Sequence, residues 1–270
     1  MLDELASGLY PKHFLAAEFR AGRKLTHFLV VLTDAPGSFA RASALVNEHQ
    51  IDIITGLHAP GGRNESLWSF FADFTDTTIT PSDLASKLRS LPSVRDVRFQ
   101  LGNDGLIVDS FHFPPMYGSE PAILIMRETF TSLLGRVRTI LGTGPVAGVL
   151  LHEMGLSSGK AAYQTLKTRM GEKGLKEQVK QLFGLYGAAG WGVATISDLD
   201  FEAKHAVIKI DENFECLPHK GRESEAYSHF LRGDISGFIS GVFGTRVRCV
   251  ETLCIAKGDK SCEFSIDAEK

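Results

Sequence analysis

Apolar positions follow two rhythms along the chain. From Thr26 to Leu101, short apolar runs alternate with helix-spaced ones. His27 to Thr33 (HFLVVLT) is a continuous buried-strand run, broken by Asp34-Ala35-Pro36-Gly37-Ser38. Phe39, Ala42 and Val46 then mark one helix face as far as His49. Ile51 to Ala59 reads as a second strand, Gly61-Gly62 as a turn and Ser66 to Thr75 as a third strand. Thr80-Pro81-Ser82-Asp83 opens a second helix, with Thr80 as N-cap and Pro81 at the first helical position. Val94 to Leu101 is a fourth strand. This order, βαββαβ, is the ferredoxin-like arrangement. Before it, residues 1–22 read as an N-terminal extension with a short helix interrupted at Pro11.

After Leu101 the rhythm changes. Residues 103–120, with Pro114-Pro115 and Gly118, read as a linker in which Leu106 to Phe113 docks as an extra strand. His112, between Phe111 and Phe113, reads as packing rather than a ligand. Phe130, Leu133, Leu134, Val137, Ile140 and Leu141 keep helix spacing until Gly142-Thr143-Gly144-Pro145 interrupts. A second helix begins at Pro145, and further helical text follows Ser158. Val179, Leu182, Phe183 and Tyr186 mark another amphipathic helix. Gly187 to Gly192 then turns the chain into strands Trp191 to Ile196 and His205 to Ile210. Helices followed by strands predict an α+β layer.

The C-terminal stretch carries the densest chemistry. Tyr227, Leu231, Ile235, Phe238 and Val242 recur at helix spacing, and Gly233, Gly237 and Gly241 leave one face of that helix bare. A glycine inside a helix costs roughly 1 kcal/mol, so the bare face implies that another backbone lies against it. Beyond Gly244, Val247 to Ile255 and Ser261 to Asp267 flank the turn Lys257-Gly258-Asp259-Lys260. A hairpin centred on Gly258 puts Cys254 and Cys262 opposite each other, with Cβ atoms about 4.5–5.5 Å apart. Glu251 lies one short step back. These residues read as two buried thiols, a redox pair or metal ligands. A carboxylate beside two thiols is hard to place in a dry core, and a divalent ion would compensate it. Zinc takes four ligands from Cys, His and carboxylate. Three are visible, and His229, Cys216, His219 and water are the choices for the fourth. Such an ion is expected to be structural rather than catalytic, stapling the hairpin.

Glu251-x-x-Cys254-x7-Cys262-x-Phe264, with Gly258-Asp259 between the cysteines and the glycine-spaced helix before, resembles the 4-vinyl reductase domain. The resemblance covers roughly 120–267. It implies an α/β domain enclosing a small apolar ligand, as in effector-sensing domains of aromatic-responsive activators. In those sensors the matching Glu and two Cys bind zinc together with an upstream Cys, whose place is taken here by Ser228. Residues 25–102 resemble the ACT domain, a regulatory module that often binds amino acids or dimerises. The matching residues are the first strand, the loop Asp34-Ala35-Pro36-Gly37-Ser38-Phe39, and Ile51-Asp52-Ile53-Ile54. A Gly-containing loop entering a helix offers free N–H groups to a carboxylate, which makes Asp34, Gly37 and Ser38 the candidate amino-acid contacts. The alternative is that Asp34 and Gly37 only make the turn.

The resulting expectation is an α+β chain. An ACT-like ferredoxin-like domain at 23–102 is followed by a linker at 103–120 and a mixed α/β ligand-binding domain with an antiparallel sheet at 121–270. Phe130, Leu134, Phe183, Tyr186 and Trp191 are the candidate apolar pocket, sized for a phenol, a tetrapyrrole fragment or an acyl chain; a solid core built from the same residues is the competing expectation. The expected protein is a homodimeric, ligand-responsive regulator. The alternatives are an enzyme or assembly factor acting on a tetrapyrrole or aromatic substrate, and a lipid-holding scaffold.

Composition narrows this little further. Hydrophobic content of 43% is enough for real cores. A net charge of −3 gives no sign of direct nucleic-acid or membrane-surface binding. No apolar run reaches the roughly 18 residues of a membrane span. MLDELASGLYPKHF lacks the cationic and apolar blocks of a secretory signal. All four cysteines fall between Cys216 and Cys262, a local site rather than a disulfide framework, and a cytoplasmic location is expected. GTGPVAG follows a helix and misses the G-x-G-x-x-G spacing, so it does not read as a nucleotide loop. No HExxH motif or nucleophile elbow is present. His152 and His205, in apolar text, read as core histidines.

Overall fold

The computed structural model describes residues 9–142, 145–168 and 174–269. They fall into two compact units, Met1–Ile123 and Leu124–Lys270.

In the first unit, residues 9–22 form no helix; they carry a short strand, β1 (Ala17–Phe19). A piece this short, interrupted by Pro11, cannot repay helix nucleation, and its backbone pairs elsewhere. Then follow β2 (Leu25–Thr33), α1 (Ser38–Glu48), β3 (Asp52–Pro60), β4 (Glu65–Asp73), α2 (Pro81–Arg89) and β5 (Val94–Leu101). This is the βαββαβ order read from the pattern, and the antiparallel sheet runs β3-β4-β2-β5. The start of α2 is the capping box its sequence announces. Thr80 Oγ1 accepts from Asp83 N at 3.2 Å, and Asp83 Oδ2 accepts from Thr80 N.

The central strand β2 is buried on both faces. Phe28, Val30 and Leu32 join Val46, Leu84 and Leu88 of the two helices in the main core. With a side-chain period of two, Leu25 and His27 point to the opposite face. There β6 (Leu106–Val108) pairs antiparallel with β1, and Ile107 packs on Leu25 and Phe71. The expected extra strand thus forms, but only to Val108. A second small ribbon, β7 (Met116–Tyr117) with β8 (Glu120–Pro121), ends the unit.

The second unit contains α3 (Arg127–Leu141), α4 (Pro145–Lys167), α5 (Leu175–Ala188), β9 (Val193–Asp200), β10 (His205–Asp211), α6 (His229–Phe243), β11 (Val247–Leu253) and β12 (Cys262–Ala268). Its antiparallel sheet runs β11-β12-β10-β9. α4 is one continuous helix through Ser158, and residues 143 and 144 of GTGPVAG lie outside the described residues. The backbone that lies against the bare face of α6 is α4, which brings glycines of its own. A methyl group on Gly233 would overlap His152 O, and one on Gly237 would overlap Leu156 O. Methyl groups on Gly155 and Gly159 would overlap Phe230 O and Asp234 O in return. The helices meet backbone to backbone, which accounts for glycine inside both. Among the described residues no helix is long and apolar enough to cross a membrane.

Candidate metal centre

The β11–β12 connection folds into a tight knuckle. Leu253 pairs with Glu263, so Cys254 and Cys262 are the next positions across, as expected. Ile255–Lys257 makes one 3-10 turn, and Gly258, at φ 107°, bends the chain back as few side-chain-bearing residues can. Cys254 N donates to Asp259 Oδ2 at 2.8 Å, and Ile255 N donates to Cys262 Sγ at 3.4 Å.

Cys216 reaches the same spot from the segment after β10. Donor atoms of Cys216, Glu251, Cys254 and Cys262 all lie within 4.8 Å of one another, and all four residues are buried. Cys216 Sγ is 3.6 Å from Cys254 Sγ. In a tetrahedral zinc site with Zn–S near 2.3 Å, sulfurs stand about 3.8 Å apart, so this donor set fits a metal. Of the candidates for fourth ligand, Cys216 is the one in place; His219 and His229 are not in the group.

Ser228 holds the carboxylate. Its backbone N and its hydroxyl donate to the two Glu251 oxygens at 3.1 and 2.7 Å. Asn213 Nδ2 donates to Ser228 Oγ at 2.7 Å and to Cys262 Sγ at 3.1 Å. Because its hydroxyl is turned to Glu251, Ser228 makes no side-chain cap on α6. Glu215 does that work: its carboxylate accepts from Phe230 N at 3.2 Å and Leu231 N at 2.9 Å. Arg138 neutralises Glu215 at 2.6 Å and lies over the Tyr227 ring. Neither Arg138 nor Glu215 stood out in the sequence; Arg138 occupies an otherwise ordinary helix.

The four donors hold their protons unequally. Burial, then the negative charge at Cys254, pushes Glu251 up to about 8, against the Ser228 hydrogen bonds. Hydrogen bonds from Cys216 and Cys262 lower Cys254, while the same bonding raises Cys216. Four potentially anionic donors therefore share little negative charge, and only a cation would let all four ionise.

The five candidate pocket residues join the same core cluster. Phe130 stacks on Phe214 at 5.4 Å and meets Phe230 edge-on at 5.3 Å, with Trp191 6.4 Å away. Phe183 stacks on Tyr186 at 5.3 Å, and Leu134 is fully buried. Tyr186 donates its hydroxyl to buried Asp234 at 2.5 Å. Burial raises Asp234 above the usual carboxylate range. A separate groove of about 600 Å³ lies between α4 and α6, lined by His152, Lys160, Tyr163, Gly237, Gly241 and Arg246. His205 is partly exposed and bonded to Asp267 at 2.7 Å, so it is no core histidine: at the start of β10 its side chain reaches the sheet surface. In the first unit, Asp34 is exposed, Gly37 sits at φ 81° before α1, and Ser38 is buried with its hydroxyl unpaired.

Residues 206–268 match the model of the 4-vinyl reductase domain. That segment holds β10, α6, β11 and β12, and with them the whole four-residue cluster. No curated protein matches the chain. The phenol-responsive sensory domain of the transcription activator PoxR, solved with phenol, is 20% identical, covering 57% of this chain and 79% of that one at a TM-score of 0.48. A vinyl-4-reductase family protein from Methanocaldococcus jannaschii is 16% identical, covering 55% and 85% at 0.38. The ACT domain of a GTP pyrophosphokinase from Chlorobium tepidum is 17% identical, covering 29% and 99% at 0.26.

Proposed function

We propose that the unit carrying the 4-vinyl reductase match is a sensor that encloses a small hydrophobic molecule, with a zinc ion at Cys216, Glu251, Cys254 and Cys262 fixing the knuckle and the start of α6. The observation that carries this reading is the aromatic cluster. Six rings (Phe130, Phe183, Tyr186, Trp191, Phe214, Phe230) are joined by a chain of ring contacts, and a buried phenol–carboxyl pair, Tyr186–Asp234, gives that apolar core a polar end. Apolar walls with few polar groups are the usual chemistry of a small-molecule site. A ring-sized ligand enters by displacing one of these rings and offers its own polar group to Tyr186 or Asp234. The ion when bound would supply charge compensation and a structural clip; all four of its ligands are protein side chains, the closed set of a structural rather than catalytic zinc.

In the ACT-like unit we assign the loop Asp34–Ser38 to an amino-acid carboxylate and the sheet edges β3 and β5 to a homodimer contact. A bound ligand then acts by shifting the chain toward the conformations it binds better, with output passing to a separate protein.

The test is mass spectrometry of the purified full chain under native and then denaturing conditions, paired with Leu134→Trp. An apolar molecule released on denaturation is expected. Leu134→Trp should block its uptake and leave stability nearly unchanged. A stability loss of about 1–3 kcal/mol, the usual result of overpacking a solid core, with nothing released from wild type, would reject the chamber.

A further inference from the structure

His27 stands on the central strand β2, fully buried, on the sheet face that β1 and β6 cover. Its Nε2 lies 2.8 Å from Ser69 Oγ. The Ser69 hydroxyl already donates its one proton to Phe28 O at 3.0 Å. His27 Nε2 must therefore be the donor, which leaves Nδ1 a bare lone pair. That Nδ1 has no hydrogen-bond partner. It faces Asp109 Oδ1 at 3.8 Å. A buried acceptor and a half-buried one thus face each other. Protonating His27 would relieve them, but burial is the main influence on the ring and holds it down at about 4, against the pull of Asp109.

Asp109 is placed by backbone. It directly follows β6, and its N donates to Ala16 O at 2.8 Å. Its Oδ1 accepts from Phe111 N at 2.9 Å, which turns the chain so that His112 Nδ1 comes within 2.9–3.0 Å of the carboxylate. His112 Nε2 is a second buried ring nitrogen without a partner. One donor atom from each of His27, Asp109 and His112 lies within 4.8 Å of the others. Ligand atoms around zinc stand about 3.3 Å apart, given bonds of about 2.0–2.1 Å. The observed set closes on an ion with a contraction of an ångström or so.

We propose that His27, Asp109 and His112 bind a divalent transition-metal ion such as zinc in the ACT-like unit, independently of the cysteine cluster. Two imidazoles and one carboxylate suit a borderline cation rather than calcium or magnesium. The ion takes the Nδ1 lone pair of His27 and the charge of Asp109, and His112 offers Nδ1 once its proton has shifted to the unpartnered Nε2. Binding pins the segment after β6 to the sheet.

The test uses the full chain, stripped of metal and titrated with cobalt(II), with bound ions counted by equilibrium dialysis and thiolate-to-cobalt charge-transfer absorbance read in parallel. Wild type should bind one equivalent that adds no thiolate absorbance. His112→Ala, on the partly exposed side of the site, should weaken that equivalent at least tenfold and leave any thiolate-linked equivalent unchanged. A wild type that binds no such equivalent, or a His112→Ala protein that keeps it at full affinity, overturns the proposal. Long-range proton–nitrogen spectra of the wild-type imidazoles give a check free of mutation. Added zinc should shift His27 Nδ1, and an unmoved Nδ1 at saturating zinc overturns the proposal as well.

Discussion

Glu215 and Glu251 are two buried carboxylates at the same end of α6, exposed by 2% and 8%, and the protein compensates them differently. Glu215 receives a full cation from Arg138 and two N–H groups from the first turn of the helix. Glu251 receives Ser228 and three sulfurs. One carboxylate is neutralised by the chain itself. The other is hydrogen-bonded but not neutralised. Burial raises both carboxylates; at Glu215 Arg138 and the helix N–H groups oppose it, and at Glu251 only Ser228 does, which leaves Glu251 at about 8. Two acids lie in one core, one with a built-in counterion and one without, and the second is where an external cation would fit.

The comparison breaks most visibly at Arg138. Arg138→Leu leaves Glu215 buried with helix N–H groups alone and should cost about 3–5 kcal/mol in denaturant unfolding, the usual result of orphaning one partner of a buried pair. A cost under about 1 kcal/mol would mean that the helix end suffices and that Glu215 and Glu251 are not different in kind.

Acidity tests the other half. Glu251 is raised in the folded state from an ordinary 4.5 to about 8. In metal-free protein its contribution is therefore fully present below pH 4.5 and is lost as pH rises through 8, by at most about 1.4 kcal/mol per pH unit. Glu251→Gln removes that slope. Urea unfolding of metal-free wild type and Glu251→Gln between pH 5 and 8 measures the difference, and parallel curves would show that Glu251 is not shifted. Loaded protein should show the opposite slope, because acid protonates the ligands and releases the ion.

Sequence pattern conveyed the repeating elements and stopped where partners come from afar. The βαββαβ order, the Thr80 cap and the bare face of α6 were legible because each is a local rule. Cys254 and Cys262 were legible together because one short hairpin sets them opposite. Cys216 was one candidate among several, because it arrives 38 residues before Cys254 from another strand end. Arg138–Glu215 spans 77 residues and leaves no local trace. His27 was hidden as one member of an apolar strand, and His112 was read as packing. The signal that could have joined them was a histidine in a run buried on both faces, with Asp109-x-x-His112 in the segment that covers it.

Zinc should sharpen the contrast by a middle amount. At a free concentration 100 times its Kd, an ion that binds only the folded state adds about 2.7 kcal/mol. Thermal unfolding of His112→Ala protein, which lacks the histidine site, should show an increment of that size with zinc that adding Cys254→Ser abolishes and that the Arg138–Glu215 pair does not influence. An increment that survives Cys254→Ser would place the stabilising ion elsewhere.

The smallest effect is the most specific. Ser228 precedes α6 yet makes no side-chain cap, so Ser228→Ala should not act through the helix end. Its loss falls on Glu251, which keeps the Ser228 backbone N–H, on Asn213, which keeps Cys262, and on Cys216, whose Sγ lies 2.9 Å from the hydroxyl. One net hydrogen bond is worth about 0.5–1.5 kcal/mol, so metal-free Ser228→Ala should lose about 1 kcal/mol. If that loss passes through the carboxylate, Ser228→Ala and Glu251→Ala will not add, since each removes the same hydroxyl–carboxylate contact. A double-mutant cycle measured by urea unfolding reads this directly. Strict additivity would show that the serine serves Asn213 and the turn before α6, and would leave Glu251 held by its backbone contact alone.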